Sequence, residues 1–161
     1  MFDDKTDLEV LFWKELKASP FVMLGLDGAR DGHTQPMTAI RDGDSHTLWF
    51  FTTKDNGLTQ SLAQGHRAIA AYSSKGHDVF ATIDGALSES HDRAMVDKLW
   101  NSHVEAWYEG GKADPKLALL RLDPEKAMIW KGGTSIGAAL TKLFGKDPKE
   151  DYKDNVAEVR L

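Results

Sequence analysis

Apolar positions recur along this chain at two different spacings, and the places where the spacing changes mark its elements. Leu8, Leu11, Phe12 and Leu16 follow helical spacing. Thr6-Asp7-Leu8-Glu9 has the form of a capping box at the start of that helix. Ser19-Pro20 ends it, because proline disfavours helical backbone in the residue before it. From there the apolar runs become short and rich in aromatic and β-branched residues. Phe21 to Leu26, Gln35 to Ile40, Thr47 to Thr53, Ile69 to Tyr72, Val79 to Leu87, Leu117 to Leu122 and Ala127 to Lys131 read as strands. Asp27-Gly28, Asp31-Gly32, Asp42-Gly43-Asp44 and Ser73-Ser74-Lys75-Gly76 supply turn chemistry between them, and Asp123-Pro124 separates the last two. Pro36 makes the second strand an edge, a bulge or a strand start.

Helical stretches are few. Gly57 to Gln64 is a short helix stopped by Gly65, and Ser90 is placed to cap a helix from Asp92 to Trp100 with Met95, Val96 and Leu99 on one face. Ser135 to Phe144 reads as a last helix. About seven short strands with so few helices point to a mainly β barrel or sandwich, not a repeating βαβ sheet. With no internal repeat or low-complexity linker, residues 1–161 read as one domain. The tail from Lys146 is highly charged, with Val156, Val159 and Leu161 as its aliphatic residues. It is expected to add little to the core, at most as a short strand or a segment docked on a partner.

Composition narrows the function classes. The absence of cysteine among 161 residues removes disulfides, thiolate metal sites and cysteine nucleophiles, and it fits a reducing cytoplasm. No apolar run approaches a membrane span, and the polar, acidic N-terminus is unlike a secretory signal. A formal net charge of -5 argues against general nucleic-acid binding, and means that a bound phosphate would rely on local donors instead of a basic field. The six histidines have no metal-site spacing, and neither a nucleophile elbow nor a phosphate-loop signature is present.

Three segments could carry chemistry. Trp49-Phe50-Phe51-Thr52-Thr53-Lys54-Asp55-Asn56-Gly57 joins a strand to a helix start, a junction that suits a phosphate through exposed N–H groups, two hydroxyls, a cation and an amide. A capped loop without ligand is the alternative, and such loops are common. His33-Thr34-Gln35-Pro36-Met37-Thr38-Ala39 could offer backbone groups and a soft apolar surface to a planar ring, although its local chemistry fits an ordinary edge strand with Met37 in the core better. The third segment contains Trp107-Tyr108-Glu109-Gly110-Gly111, Asp114-Pro115, Leu119-Leu120-Arg121-Leu122 and Trp130-Lys131. Its tryptophans could flank a flavin or close a subunit interface, or simply be core. Trp13 and Trp100 lie on amphipathic helix faces and read as structural.

The order of these segments from about Asp7 to Trp130 resembles the general stress protein 26 family, a branch of the pyridoxamine-phosphate-oxidase-like proteins. The resemblance rests on Met23-Leu24-Gly25-Leu26, Gln35-Pro36-Met37, Leu48-Trp49-Phe50-Phe51-Thr52, Asp84-Gly85-Ala86 and Leu99-Trp100. It continues through Trp107-Tyr108-Glu109-Gly110-Gly111, Asp114-Pro115, Leu119-Leu120-Arg121-Leu122 and Ile129-Trp130. It implies an FMN-binding split β-barrel that forms a homodimer, with flavin at the subunit interface. Gln35, Pro36, Met37 and Thr38 would then lie along the isoalloxazine. Thr52, Thr53 and the Asn56-Gly57-Leu58 turn would approach the ribityl phosphate, Phe51 and Lys54 would belong to the flavin site, and Trp107 and Trp130 would come from near the interface.

Two positions depart from the family pattern. Leu58 stands where a phosphate-binding lysine is expected, and Gln35 stands where arginine precedes Pro-Met. A hydrogen bond to a charged group contributes roughly 1.5–3 kcal/mol, so these departures imply weaker FMN binding. Asp55 adds repulsion and Lys54 offers compensation; a Leu58→Lys change is expected to tighten FMN. The resemblance implies an FMN-dependent oxidoreductase, with NADH or NADPH as a donor and FAD as another flavin. A non-catalytic flavin carrier or sensor and a flavin-free dimer are the alternatives. The C-terminal Arg-x-His segment of true pyridoxamine-phosphate oxidases has no counterpart in Glu158-Val159-Arg160-Leu161.

Overall fold

The computed structural model describes residues 4–28, 33–62, 64–132 and 156–161. Helix α1 (Asp4–Ala18) comes first, followed by β1 (Phe21–Leu26), β2 (Gln35–Thr38), β3 (Ile40–Arg41) and β4 (Leu48–Thr53). Next are α2 (Gly57–Ser61), β5 (His66–Ser73), β6 (Val79–Ser90), α3 (Arg93–Leu99), α4 (Ser102–Glu105) and a 3₁₀ turn at Gly111–Ala113. The long β7 (Leu117–Lys131) and β8 (Val156–Arg160) complete the described chain.

All pairing is antiparallel, in the order β2-β1-β5-β6-β7-β4-β3, with β8 added to β7. The sheet's two end strands, β2 and β3, are consecutive in the chain and joined by Ala39 alone. The sheet must therefore curl until its edges meet, and it closes by chain continuity instead of a ladder between β2 and β4. This is the split β-barrel the resemblance implied. The Ala39 amide, donating to Pro20 O at 2.7 Å, anchors the crossing.

The main core fills the barrel with Leu24, Leu48, Phe50, Ile83, Leu87, Leu120, Leu122 and Ile129, and α1 closes it with Leu8, Phe12, Trp13 and Leu16. A smaller cluster lies on the other face of β4 and β7. There Val96, Leu99, Val104 and Tyr108 cover Trp49, Leu117 and Leu119. This explains why β4 is apolar on both faces.

Several expectations are corrected. Helix α1 begins at Asp4, so Thr6 lies inside its first turn and is not its cap. The run from Gln35 to Ile40 divides at Ala39 into strands that pair with different neighbours. Asp92, not Ser90, caps α3, through bonds from the amides of Ala94 and Met95. The two strands expected around Asp123-Pro124 are one strand. β7 runs through this site because β6 shifts register there: Asp84 pairs with Lys126 and Gly85 with Pro124, leaving Glu125 as the extra residue. A Cβ on Gly85 would overlap the Asp123 carbonyl and lie 2.9 Å from Pro124 Cα, so the Asp84-Gly85-Ala86 element needs its glycine for close backbone approach. The helix expected over Ser135 to Phe144 lies outside the described residues.

The expectation for the tail holds as to a short strand at its end and is overturned as to the core. Val156–Arg160 pairs with β7 over Lys126 to Trp130, and Ala157 and Val159 belong to the main core. A chain ending after Phe144 therefore loses a core strand. Its melting temperature is expected to fall by more than about 10 °C, the equivalent of several kcal/mol in this size range. Calorimetry of the truncated and full chains measures this.

Candidate functional site

The curl carries β2 towards the turn after β4, and side chains bridge the gap between them. Gln35 Nε2 donates to Asn56 Oδ1 at 2.8 Å, and Asn56 Nδ2 donates to Gln35 Oε1 at 3.3 Å. Asn56 is also the N-cap of α2, where its Oδ1 accepts from the Leu58 amide at 2.9 Å. The turn beneath is internally bonded. Asn56 N donates to Thr53 O at 3.2 Å, Thr59 Oγ1 donates to the same carbonyl at 2.9 Å, and Gln60 N donates to Asn56 O at 3.0 Å. The Thr53 hydroxyl, the Lys54 ammonium and the amides of Asp55 and Gly57 have no hydrogen-bond or ion-pair partner among the described residues.

A second wall comes from the segment after α4. Tyr108 Oη donates to Thr52 O at 2.7 Å in a buried bond, and Lys54 N donates to Lys116 O at 2.8 Å. Burial, with the Asp114 charge as a smaller cause, pushes the Tyr108 phenol up to about 12, so it remains a donor at neutral pH. Asp114 shapes the loop by accepting from Gly110 N at 3.1 Å and Lys116 N at 2.9 Å. These bonds hold its carboxyl below the usual range, Lys116's being the larger cause. Gly111 has φ +61°. A Cβ on Gly110 would meet Asp114 at 2.9 Å. The Glu-Gly-Gly and Asp-Pro elements are thus loop-building devices. They leave Trp107 84% exposed beside an open hollow of about 460 Å³, lined by Trp107, Glu109, Gly110, Asp114, Pro115 and Lys116.

The candidate residues from the sequence divide into two groups. Gln35, Thr53, Lys54, Asn56 and Gly57 gather across the split. Pro36 and Thr38 are exposed on β2, while Met37 is half-buried and packs against the main core. Phe51 turns into the smaller cluster, edge-on to Trp100 at 5.7 Å, and Thr52 is buried. Trp130 lies at the far end of β7 from the Trp107 loop, beside Phe80 on β6 and Val156 on β8. One chain does not bring the two tryptophans together. Tyr108, Thr59 and Lys116 position the site without having been singled out. Tyr108 stood next to a more conspicuous tryptophan, and Lys116 acts through its backbone carbonyl, which sequence does not mark.

Leu58 needs a different account. It is 8% exposed and sits in the main core, so its side chain points away from the donors of the turn. The expected gain from Leu58→Lys assumed a surface position; here the change buries an ammonium among apolar groups. It should lower stability by about 2–4 kcal/mol, which urea denaturation measures. Tyr108→Phe is expected to lower stability by about 1 kcal/mol by removing the bond that ties the 106–116 loop to Thr52 O, and to speed proteolysis of that loop. Chemical denaturation and limited digestion check the two effects.

Comparison with known proteins matches residues 7–147 to the family described as pyridoxamine 5'-phosphate oxidase like. General stress protein 26 of Bacillus subtilis (strain 168) is 25% identical over 111 residues, covering 67% of this chain and 77% of its own. A general stress FMN/FAD binding protein from Xanthomonas citri is 59% identical with a TM-score of 0.76, covering 81% of this chain and 92% of its own. A structure described as general stress protein 26 from Jannaschia sp. CCS1 is 30% identical with a TM-score of 0.81, covering 97% and 99%. The chain belongs to the pyridoxamine 5'-phosphate oxidase like family.

Proposed function

We propose that this chain binds FMN as a homodimer and acts as a flavin-dependent oxidoreductase drawing on a reduced nicotinamide. The observation that carries the reading is that the turn after β4, beside the split, carries the Thr53 hydroxyl, the Lys54 ammonium and the amides of Asp55 and Gly57, none engaged by the described residues. This donor set suits a phosphate, with the Asp55 carboxylate opposing it. The 59% identity to a protein described as binding FMN or FAD supports flavin as the phosphate's carrier. Pro36, Met37 and Thr38, on an end strand of the sheet, are placed to lie along the ring, while the Gln35 side chain turns to Asn56. A bound flavin supplies the electron-transfer chemistry, while the chain binds it and shapes its surroundings.

The homodimer reading has its own support. The outer face of the sheet carries an apolar belt read directly from the registers. Phe21 and Met23 on β1, Ala71 on β5, Phe80 on β6 and Met128 and Trp130 on β7 share this face, with Ser73 and Thr82 among them. Phe21, Met23 and Phe80 are 63%, 40% and 42% exposed. A contiguous exposed apolar surface marks an association site, and a two-fold copy is its commonest occupant. Such a copy could also bring a second chain's tryptophan to a split that its own Trp130 does not reach. Among the described residues no helix is long and apolar enough to cross a membrane. We place the protein in the cytoplasm, with a small-molecule substrate.

Freshly purified protein is expected to show the absorbance bands of an oxidised flavin, to release FMN on denaturation, and to lose those bands anaerobically with NADH or NADPH. A protein that neither carries nor takes up FMN or FAD defeats the flavin reading. Uptake without reduction by either nicotinamide leaves a carrier or sensor as the better account. Light scattering should give a dimer at micromolar concentration, and Phe80→Glu with Phe21→Glu should give a folded monomer by circular dichroism. A monomeric wild type defeats the dimer.

A further inference from the structure

The Gln35–Asn56 pair is the side-chain hydrogen bond that spans the split between β2 and the turn after β4. Each amide both donates and accepts, so the two side chains close a ring that requires one donor and one acceptor from each side. Asn56 Oδ1 takes Gln35 Nε2 at 2.8 Å and the Leu58 amide at 2.9 Å. The Asn56 backbone is meanwhile tied to Thr53 O and Gln60 N. Asn56 thus fixes the turn that holds the unengaged donors, and Gln35 fixes the orientation of Asn56. An arginine at position 35 could donate to Asn56 Oδ1 but could not accept from Nδ2. In this chain the neutral amide supplies order where a cation would supply charge.

We propose that Gln35 is a positioning residue for the phosphate end of the flavin, acting through Asn56 and not by touching the phosphate. The inference rests on the flavin reading above. Removing Gln35's polar atoms breaks both neutral hydrogen bonds to Asn56 and loosens the donor turn, so the effect on affinity should be several-fold.

The test compares wild type, Gln35→Met and Gln35→Glu, titrated with FMN and with riboflavin, which has no phosphate. Gln35→Met keeps the length but removes both polar atoms. It should weaken FMN roughly three- to tenfold and leave riboflavin unchanged. Gln35→Glu, ionised, can accept but not donate, and should weaken FMN further. Lowering the pH from about 7 to about 4 protonates most of its carboxyl, which restores donor and acceptor together, so its FMN affinity should recover in part relative to wild type at the same pH. The Leu58 amide should exchange with solvent faster in Gln35→Met than in wild type, without flavin present.

Equal FMN affinity for wild type and Gln35→Met overturns the inference, and a loss confined to Gln35→Glu assigns the effect to charge alone. Equal weakening of riboflavin and FMN by Gln35→Met means that Gln35 meets the ring directly, which also overturns it. A wild type that binds no flavin defeats the proposed function and takes this inference with it. A wild type that binds FMN while Gln35→Met changes nothing defeats this inference alone.

Discussion

The partner exchange along β7 is the constraint on which the rest of the architecture depends. Its first half, Leu117 to Leu122, pairs with β4, and its second half, Lys126 to Trp130, pairs with β8, while β6 follows it throughout. The exchange occurs at the bulge, where Glu125 has no partner on β6. A bulge increases local twist and bends the strand, letting a single fifteen-residue strand serve two parts of the barrel wall. The extra residue is held from several sides. Its carbonyl accepts from Leu161 N at 3.1 Å, and its carboxylate takes both contacts of the Arg67 guanidinium at 2.9 Å. That pair is exposed and weak as a source of stability. Backbone bonding and the close approach at Gly85 are what enforce the bend.

From that bend the site follows geometrically. A curled sheet whose end strands are sequence neighbours leaves a seam, and the seam must fall between β2 and β4. Backbone hydrogen bonds do not join those strands into a ladder, so side chains and turn groups face one another across a gap. A seam of this kind is a weakness in a barrel and an opportunity for a ligand, because exposed backbone donors persist there without disrupting the core. Tyr108 and Lys116 stiffen one side of it through carbonyl and amide bonds to β4 and its turn. The Gln35–Asn56 ring stiffens the other.

Much of the barrel was legible because its apolar runs are short and bounded by glycine, proline and aspartate. Five of the expected strand regions fall within observed strands, Thr47 to Thr53 overhangs β4 by one residue, and the seventh, from Gln35 to Ile40, was found as two. What escaped was whatever depended on partner choice. Ala39 carries no mark that the chain changes sheet edge there. Asp123-Pro124 has turn chemistry, and only the bulge opposite Gly85 turns it into strand. Val156-Ala157-Glu158-Val159-Arg160 was legible as a short strand but not as core, and Ala157 and Val159 become core only because β7 and α1 lie against them. At the site, residue types were readable but directions were not. Leu58 and Asn56 are two residues apart; one packs into the barrel and the other caps the turn, and their spacing alone does not separate these roles.

The same distinction bears on how a chain with a net charge of -5 could hold a phosphate. Charges beyond about 8–10 Å are largely screened at physiological ionic strength, so the global charge matters less than the groups within contact. Lys54 and Asp55 are adjacent and opposite, and their fields cancel at a distance. Only donors in direct contact can then outweigh the cost of removing phosphate from water. Backbone amides suit this task because the fold fixes them before a ligand arrives, so little further ordering is needed on binding. Their effectiveness depends on the rigidity of the turn that carries them. In this chain that rigidity comes from neutral bonds to Thr53 O, from the Asn56 cap and from the Gln35 amide across the seam.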